Sequence, residues 1–216
     1  MVKYIFSINP GRAGSHYLSV LFNFAEGCIS FHEPKPSMNK KAMQEFNEGD
    51  QRKIRKLMKD KIKRIEKFRK DKVYVETNHC FIKGFGWIIP EYIDQRDIGV
   101  IILKRDYHEI TKSLIRIRCI PLTKFGNEWL LSPYASQNVT TAPDNLVEYE
   151  LTRWYVEEIY ARAKKYMMKF PYINYAEVNL KELNDLDNVK KLFLKFNLVA
   201  SSELESVIGR PTNIKI

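Results

Sequence analysis

Only three cysteines occur in the 216 residues, Cys28, Cys80 and Cys119. They are odd in number and widely spaced, with no CxxC pair and no Cys/His cluster, which excludes a disulfide framework or a zinc site as the organising principle. They read as reduced, buried small residues. No run of about 18 apolar residues is present to span a bilayer, and the first strand pattern begins almost at Met1, which leaves no room for a signal peptide. A soluble, cytoplasmic protein with no transmembrane segment is expected. Internal repeats and low-complexity tracts are also absent, so the chain is expected to form one domain over 1–216.

Charge of one sign is abundant but confined. The formal net charge is +10. Residues 51–72 carry twelve Lys/Arg against three Asp/Glu, a net +9, which leaves +1 for the rest of the chain. Within that segment Ile54, Leu57, Met58, Ile62, Ile65 and Phe68 recur at helical spacing, predicting an amphipathic helix with a cationic outer face. A solvated face is the plain reading, and docking of an acidic partner or substrate is the functional one. Nucleic acid is not expected, because no aromatic residues interleave with the charges as a base-stacking surface requires.

Elsewhere strand-like and helix-like stretches alternate, as in an α/β protein. VKYIFSI, CISF (28–31), VYVET (73–77), DIGVIILK (97–104) and YINYAEV read as strands, and polar residues follow the first four: the loop at 9–14, His32-Glu33, Asn78-His79 and Arg105-Asp106. Ligands of open parallel sheets bind outside the carboxyl ends of the strands, so these residues are the candidates for function. Residues 119–143, with Pro121, Pro133 and Pro143, predict an irregular excursion that serves as a substrate loop or lid or is simply poorly ordered. A long helix follows from about Asp144 to Phe170, and a last amphipathic helix precedes the polar tail GRPTNIKI.

The stretch SINPGRAGSHYLSVLF places a loop with two glycines between the first strand and the first helix. Gly11 and Gly14 allow backbone angles closed to other residues, and the helix start presents unpaired N–H groups and a positive dipole end. The arrangement is suited to an anion, most commonly phosphate. Walker A chemistry requires Lys and then Ser or Thr after the second glycine, whereas Ser15 and His16 stand here, and the cation inside the loop is Arg12. A second anion site is offered by Arg105 at a strand end and Ser113 on the following helix, the arginine supplying a forked, permanent charge.

Taken in order, these segments resemble the sulfotransferases that use 3′-phosphoadenosine 5′-phosphosulfate. RAGSH (12–16) is similar to that family's 5′-phosphosulfate loop, (K/R)-S-G-T-(T/S). Arg105 and Ser113 match its arginine and serine, eight residues apart, at the 3′-phosphate, and VNLKEL (178–183) resembles its V-x-Y-E-D-L segment. The resemblance implies a three-layer α/β sandwich of the P-loop NTPase type, with a central, mainly parallel sheet of about five strands. It implies nucleotide contacts from Gly11, Arg12, Ala13, Gly14, Ser15, His16, Arg105 and Ser113, and no metal. Ala13 and His16 depart from the pattern by removing side-chain hydroxyls while keeping the backbone donors. The family's Arg-Lys-Gly box is absent, with Arg210 in GRPTNIK as a loose substitute.

The implied reaction moves a sulfuryl group from 3′-phosphoadenosine 5′-phosphosulfate to the hydroxyl or amine of a small-molecule or glycan acceptor, releasing adenosine 3′,5′-bisphosphate. Arg12 is the candidate for stabilising the leaving phosphate. For the base, His79 has the better unperturbed pKa and Glu33 the more rigid position, beside Pro34 and Pro36, so both stay open, as does neither. The rival readings are a P-loop kinase, which lacks its loop lysine here, and a non-catalytic protein that binds through the basic helix.

Overall fold

A computed structural model describes residues 2–145 and 147–210. Strands β1 (Tyr4–Ile8), β2 (Cys28–His32), β3 (Val73–Thr77), β4 (Ile98–Lys104) and β5 (Asn174–Asn179) form one sheet in the order β2-β3-β1-β4-β5. Every pairing is parallel. β1 is buried throughout and β4 except at Lys104, and both are apolar along nearly their whole length, with Ser7 the one polar side chain within β1, because helices cover both faces of a parallel sheet. β2 lies at an edge and is half-buried along its length. The fold is the expected α/β type, with a sheet of five strands that is wholly parallel.

The helices are α1 (Ser15–Phe22), α2 (Lys41–Asn47), α3 (Arg52–Arg69), α4 (Gly86–Ile88), α5 (Tyr107–Arg116), α6 (Glu148–Lys169) and α7 (Leu186–Lys195). A wide π turn, Phe81–Phe85, leads into α4 and is buried at all five positions. α6 starts four residues later than its apolar pattern suggests and buries Trp154, Tyr155, Ile159 and Tyr166 among others, as its broad apolar circumference requires. α2 lies between β2 and α3 and is anchored by buried Ala42, Met43 and Phe46. Among the described residues no helix is long and apolar enough to cross a membrane.

The basic segment forms α3, and its apolar stripe is only partly apolar. Ile54, Met58 and Ile65 are buried, and so is Lys61. Lys61 Nζ donates to both carboxylate oxygens of Glu76 on β3, at 2.7 and 2.8 Å, and both side chains are 2 % exposed. Tyr74 Oη and Asn78 Nδ2 donate to the same carboxylate at 2.9 and 3.0 Å. The burial cost of the pair is thus offset by a filled hydrogen-bond set. Lys59, Lys63, Lys67 and Lys70 are exposed, so most of the remaining charge faces water, while Arg69 is part-buried over the Tyr4 ring.

Order in this sheet changes direction at β1. The chain leaves β1 toward β2 and β3 on one side, then crosses to β4 and β5 on the other. The loops that follow β1 and β4 therefore diverge from adjacent strands, which opens a crevice at their carboxyl ends.

Candidate active site

A cleft of about 340 Å³ occupies this crevice, lined by the loop after β1 and by His32, Glu33, His79 and Arg105 from the ends of β2, β3 and β4. The loop is fixed from beneath by buried polar contacts. Asn9 Nδ2 donates to Ser7 Oγ (3.1 Å), which also receives the N–H of Asn78 (3.2 Å), while Asn9 Oδ1 accepts the N–H of Gly11 (3.0 Å). Asn78 in turn reaches Glu76 and Lys61, so one hydrogen-bonded chain runs from α3 through the end of β3 to the anion loop.

Three loop residues have left-handed backbone, Gly11 (φ 86), Arg12 (φ 58) and Gly14 (φ 94). At Gly14 the left-handed backbone strains any L side chain, and a Cβ there would stand 2.4 Å from Leu180 Cδ1 and force that side chain to shift. Gly14 precedes α1 with no side-chain cap, and the first turn holds no acidic residue. The N–H groups and positive end of α1 are left for an anion. His16 Nδ1, at the same end, is buried with no hydrogen-bond partner among the described residues. Uncapped donors, a glycine cradle and an orphaned ring nitrogen fit a bound phosphate or sulfate group.

Arg12, Arg105 and Ser113, assigned to two anion sites in the sequence, meet at one place. Arg12 Nε donates to Ser113 Oγ at 3.0 Å, and an Arg105 terminal nitrogen donates to the Arg12 carbonyl at 2.9 Å. Arg105 Nε is held by Glu109 Oε2 at 2.8 Å. The Ser113 hydroxyl, which accepts from Arg12, keeps its own proton free to donate. Ala13 and Ser15 are buried. Arg210 is exposed and does not line the cleft; residue 209 before it is tied to α1, its N–H donating to Tyr17 Oη at 2.8 Å. The remainder of the polar tail, 211–216, lies outside the described residues.

On the other wall the two base candidates are neighbours. His79 Nε2 is 3.5 Å and His32 Nε2 3.9 Å from Glu33 Oε1. Glu33 is also a non-glycine residue with positive φ (47°), an unfavourable backbone that aims its side chain into the cleft. Sequence reading passed over Lys83. Its side chain is wholly buried, 3.0 Å from His79 Nδ1 and 2.7 Å from the Trp129 carbonyl, to which it donates. Burial lowers Lys83 from its usual 10.5; in its charged form the lysine can only donate, so that His79 Nδ1 accepts and the ring proton resides on Nε2, facing Glu33. The only signal for this lysine was a lone cation inside the apolar run CFIKGFGWII.

The electrostatics separate these groups. Burial, then Lys83 and His32, holds His79 well below the 6.5 of free imidazole. His32 is lowered by burial and by His16. Glu33 is raised from 4.5, mainly by burial and despite Lys83. Both histidines are therefore neutral in the folded protein where the unfolded chain would bind protons. The contribution of His79 to stability is full above pH 6.5 and is lost as the pH falls below it, by up to about 1.4 kcal/mol per pH unit; partly exposed His32 acts in the same direction. Urea unfolding of His79→Asn between pH about 7 and about 5.5 should show a shallower loss than the unsubstituted chain; an unchanged slope would contradict a buried neutral His79.

The 119–143 segment is irregular apart from one turn at Gly126–Glu128, and it is anchored. Gln137 Nε2 donates to the Phe46 carbonyl at 2.7 Å, and Glu158 accepts the N–H groups of Val139 and Thr140 at 2.8 to 3.0 Å. Phe125, Trp129 and Leu130 from this segment line the cleft.

No protein-family model matches the sequence, and neither does any curated protein sequence. Solved structures do match in fold. One is a sulfotransferase domain from the curacin biosynthetic pathway, with a TM-score of 0.63 and 12 % identity over 98 % of this chain and 79 % of that one. Another is a sulfotransferase from Alicyclobacillus acidocaldarius, with a TM-score of 0.53 and 13 % identity over 93 % of this chain and 84 % of that one. Over nearly its whole length, then, this chain has the fold of a sulfotransferase domain.

Proposed function

We propose that the protein transfers a sulfuryl group from 3′-phosphoadenosine 5′-phosphosulfate to a hydroxyl acceptor. The observation that carries this reading is the convergence of Arg12, Ser113 and Arg105 at the mouth of the anion loop, with Glu33 and His79 facing them across one cleft, in a fold shared with sulfotransferases.

When bound, the nucleotide supplies the sulfuryl group and a phosphate leaving group. The backbone N–H groups from Gly11 to His16 and the start of α1 hold the 5′ end, and Arg12 sets a permanent positive charge where negative charge grows on the bridging oxygen as its bond to sulfur breaks. Arg105 and Ser113 hold the 3′-phosphate with one charge-assisted and one neutral donor. Glu33 accepts the hydroxyl proton as the acceptor oxygen bonds to sulfur. His79, its Nδ1 engaged by Lys83 and its Nε2 already protonated, cannot take that proton and instead orients the carboxylate. Two residues that sequence reasoning leaves as rivals are thereby given different tasks. Positioning and charge complementarity supply the rate, as in phosphoryl transfer.

Binding of adenosine 3′,5′-bisphosphate to Arg105→Ala and Ser113→Ala tests the assignment. The arginine should cost about 1.5–3 kcal/mol and the serine about 0.5–1.5 kcal/mol, because a charge-assisted bond outweighs a neutral one. Undiminished affinity in both variants would remove the 3′-phosphate from this place.

A further inference from the structure

We infer, building on the proposed reaction, that the acceptor is an uncharged small alcohol with an apolar body and not a glycan. Leu114 and Ile117, from and just beyond the helix that carries Ser113, and Phe125, Trp129 and Leu130, from the 119–143 segment, give the cleft an apolar lining. Phe125 is 47 % exposed in an otherwise anchored segment, and the Trp129 ring lies 5.9 Å from that of His79, beside the base pair. An apolar body laid against this lining carries its hydroxyl toward Glu33 and the anion loop.

Charge narrows the class further. The formal charges lining the cleft are Arg12, Arg105 and Glu33, with His16, His32 and His79 as the other titratable imidazoles and Cys119 as a thiol that burial keeps protonated. The two arginines face the nucleotide's phosphates in the proposed complex. An anionic acceptor would meet only Glu33 and be repelled, and a cationic one would pair with the carboxylate needed as base. A glycan needs many polar partners to replace its lost water, whereas these five residues offer hydrocarbon and aromatic surface with one polar group among their side chains, the Trp129 indole N–H, which is buried without a partner among the described residues.

The test uses the full chain saturated with adenosine 3′,5′-bisphosphate and titrated by calorimetry with 2-naphthol and with methyl β-glucoside. The naphthol should bind at least tenfold more tightly. Phe125→Ala and Trp129→Ala should each weaken it by about tenfold or more, the loss expected from removing one aromatic contact, with the bisphosphate affinity unchanged. Phe125 is half exposed, so its variant keeps the test valid if Trp129→Ala does not fold. Equal or tighter binding of the glucoside, or naphthol affinity indifferent to both substitutions, would overturn the inference while leaving the nucleotide reading intact. Failure of the unsubstituted protein to bind the bisphosphate would instead overturn the proposed function.

Discussion

Glu33→Gln should lower kcat by about 10²–10⁴ with any alcohol that the protein sulfates, the range for loss of a general base, while leaving affinity for adenosine 3′,5′-bisphosphate within about twofold. Glutamine keeps the shape of the side chain but cannot accept the proton. The carboxylate suits the task because burial raises it above the ordinary 4.5 and so makes it a stronger base, against the opposing charge of Lys83. The acid limb of the kcat profile should accordingly lie above 4.5 and vanish in the variant. His79→Asn should lose less, and its profile should keep that limb, since its part is to position Glu33. If Glu33→Gln turns over normally while His79→Asn loses the full range, the two tasks are reversed and the proton goes to imidazole.

Lys61→Met should destabilise the fold by about 3–5 kcal/mol in urea or thermal unfolding, the usual penalty for leaving one member of a buried ion pair without its partner. For a chain of this size each kcal/mol moves Tm by about 2–4 °C. Adding Glu76→Leu should recover part of the loss, since the orphaned charge is then removed as well. The consequence extends to the site: Glu76 holds Asn78, and the Asn78 backbone holds Ser7, beneath the anion loop. Alanine at exposed Lys63, in contrast, should change stability by no more than about 0.5 kcal/mol. Equal effects at the two lysines would show that Lys61 is not buried against Glu76.

The parts of this architecture legible in the sequence are those with local causes. Nearly continuous apolar runs gave β1 and β4, and Gly11 and Gly14 marked the turn that their positive φ values require. Spacing alone could have exposed Lys61, since 54, 58, 61 and 65 lie on one helical face, but a lysine among eleven other cations reads as solvated until its partner on β3 is seen. Lys83 was hidden for a similar reason. Its partners, His79 and the Trp129 carbonyl, come from a neighbouring turn and from a segment 46 residues away without periodicity. Composition leaves Glu33 and His79 both open, because the assignment we propose rests on the contact of the His79 ring with Lys83, which comes from packing rather than from local sequence.

Isothermal titration with adenosine 3′,5′-bisphosphate and, separately, with ADP, each with and without magnesium, tests the sulfotransferase reading most directly. In the proposed reading the β1 loop holds the 5′ end and Arg105 with Ser113 the 3′-phosphate, so the bisphosphate should bind without magnesium and more tightly than ADP by about tenfold or more, the worth of one charge-assisted phosphate contact. Equal binding of the two nucleotides, or a preference for ADP that appears only with magnesium, would contradict it.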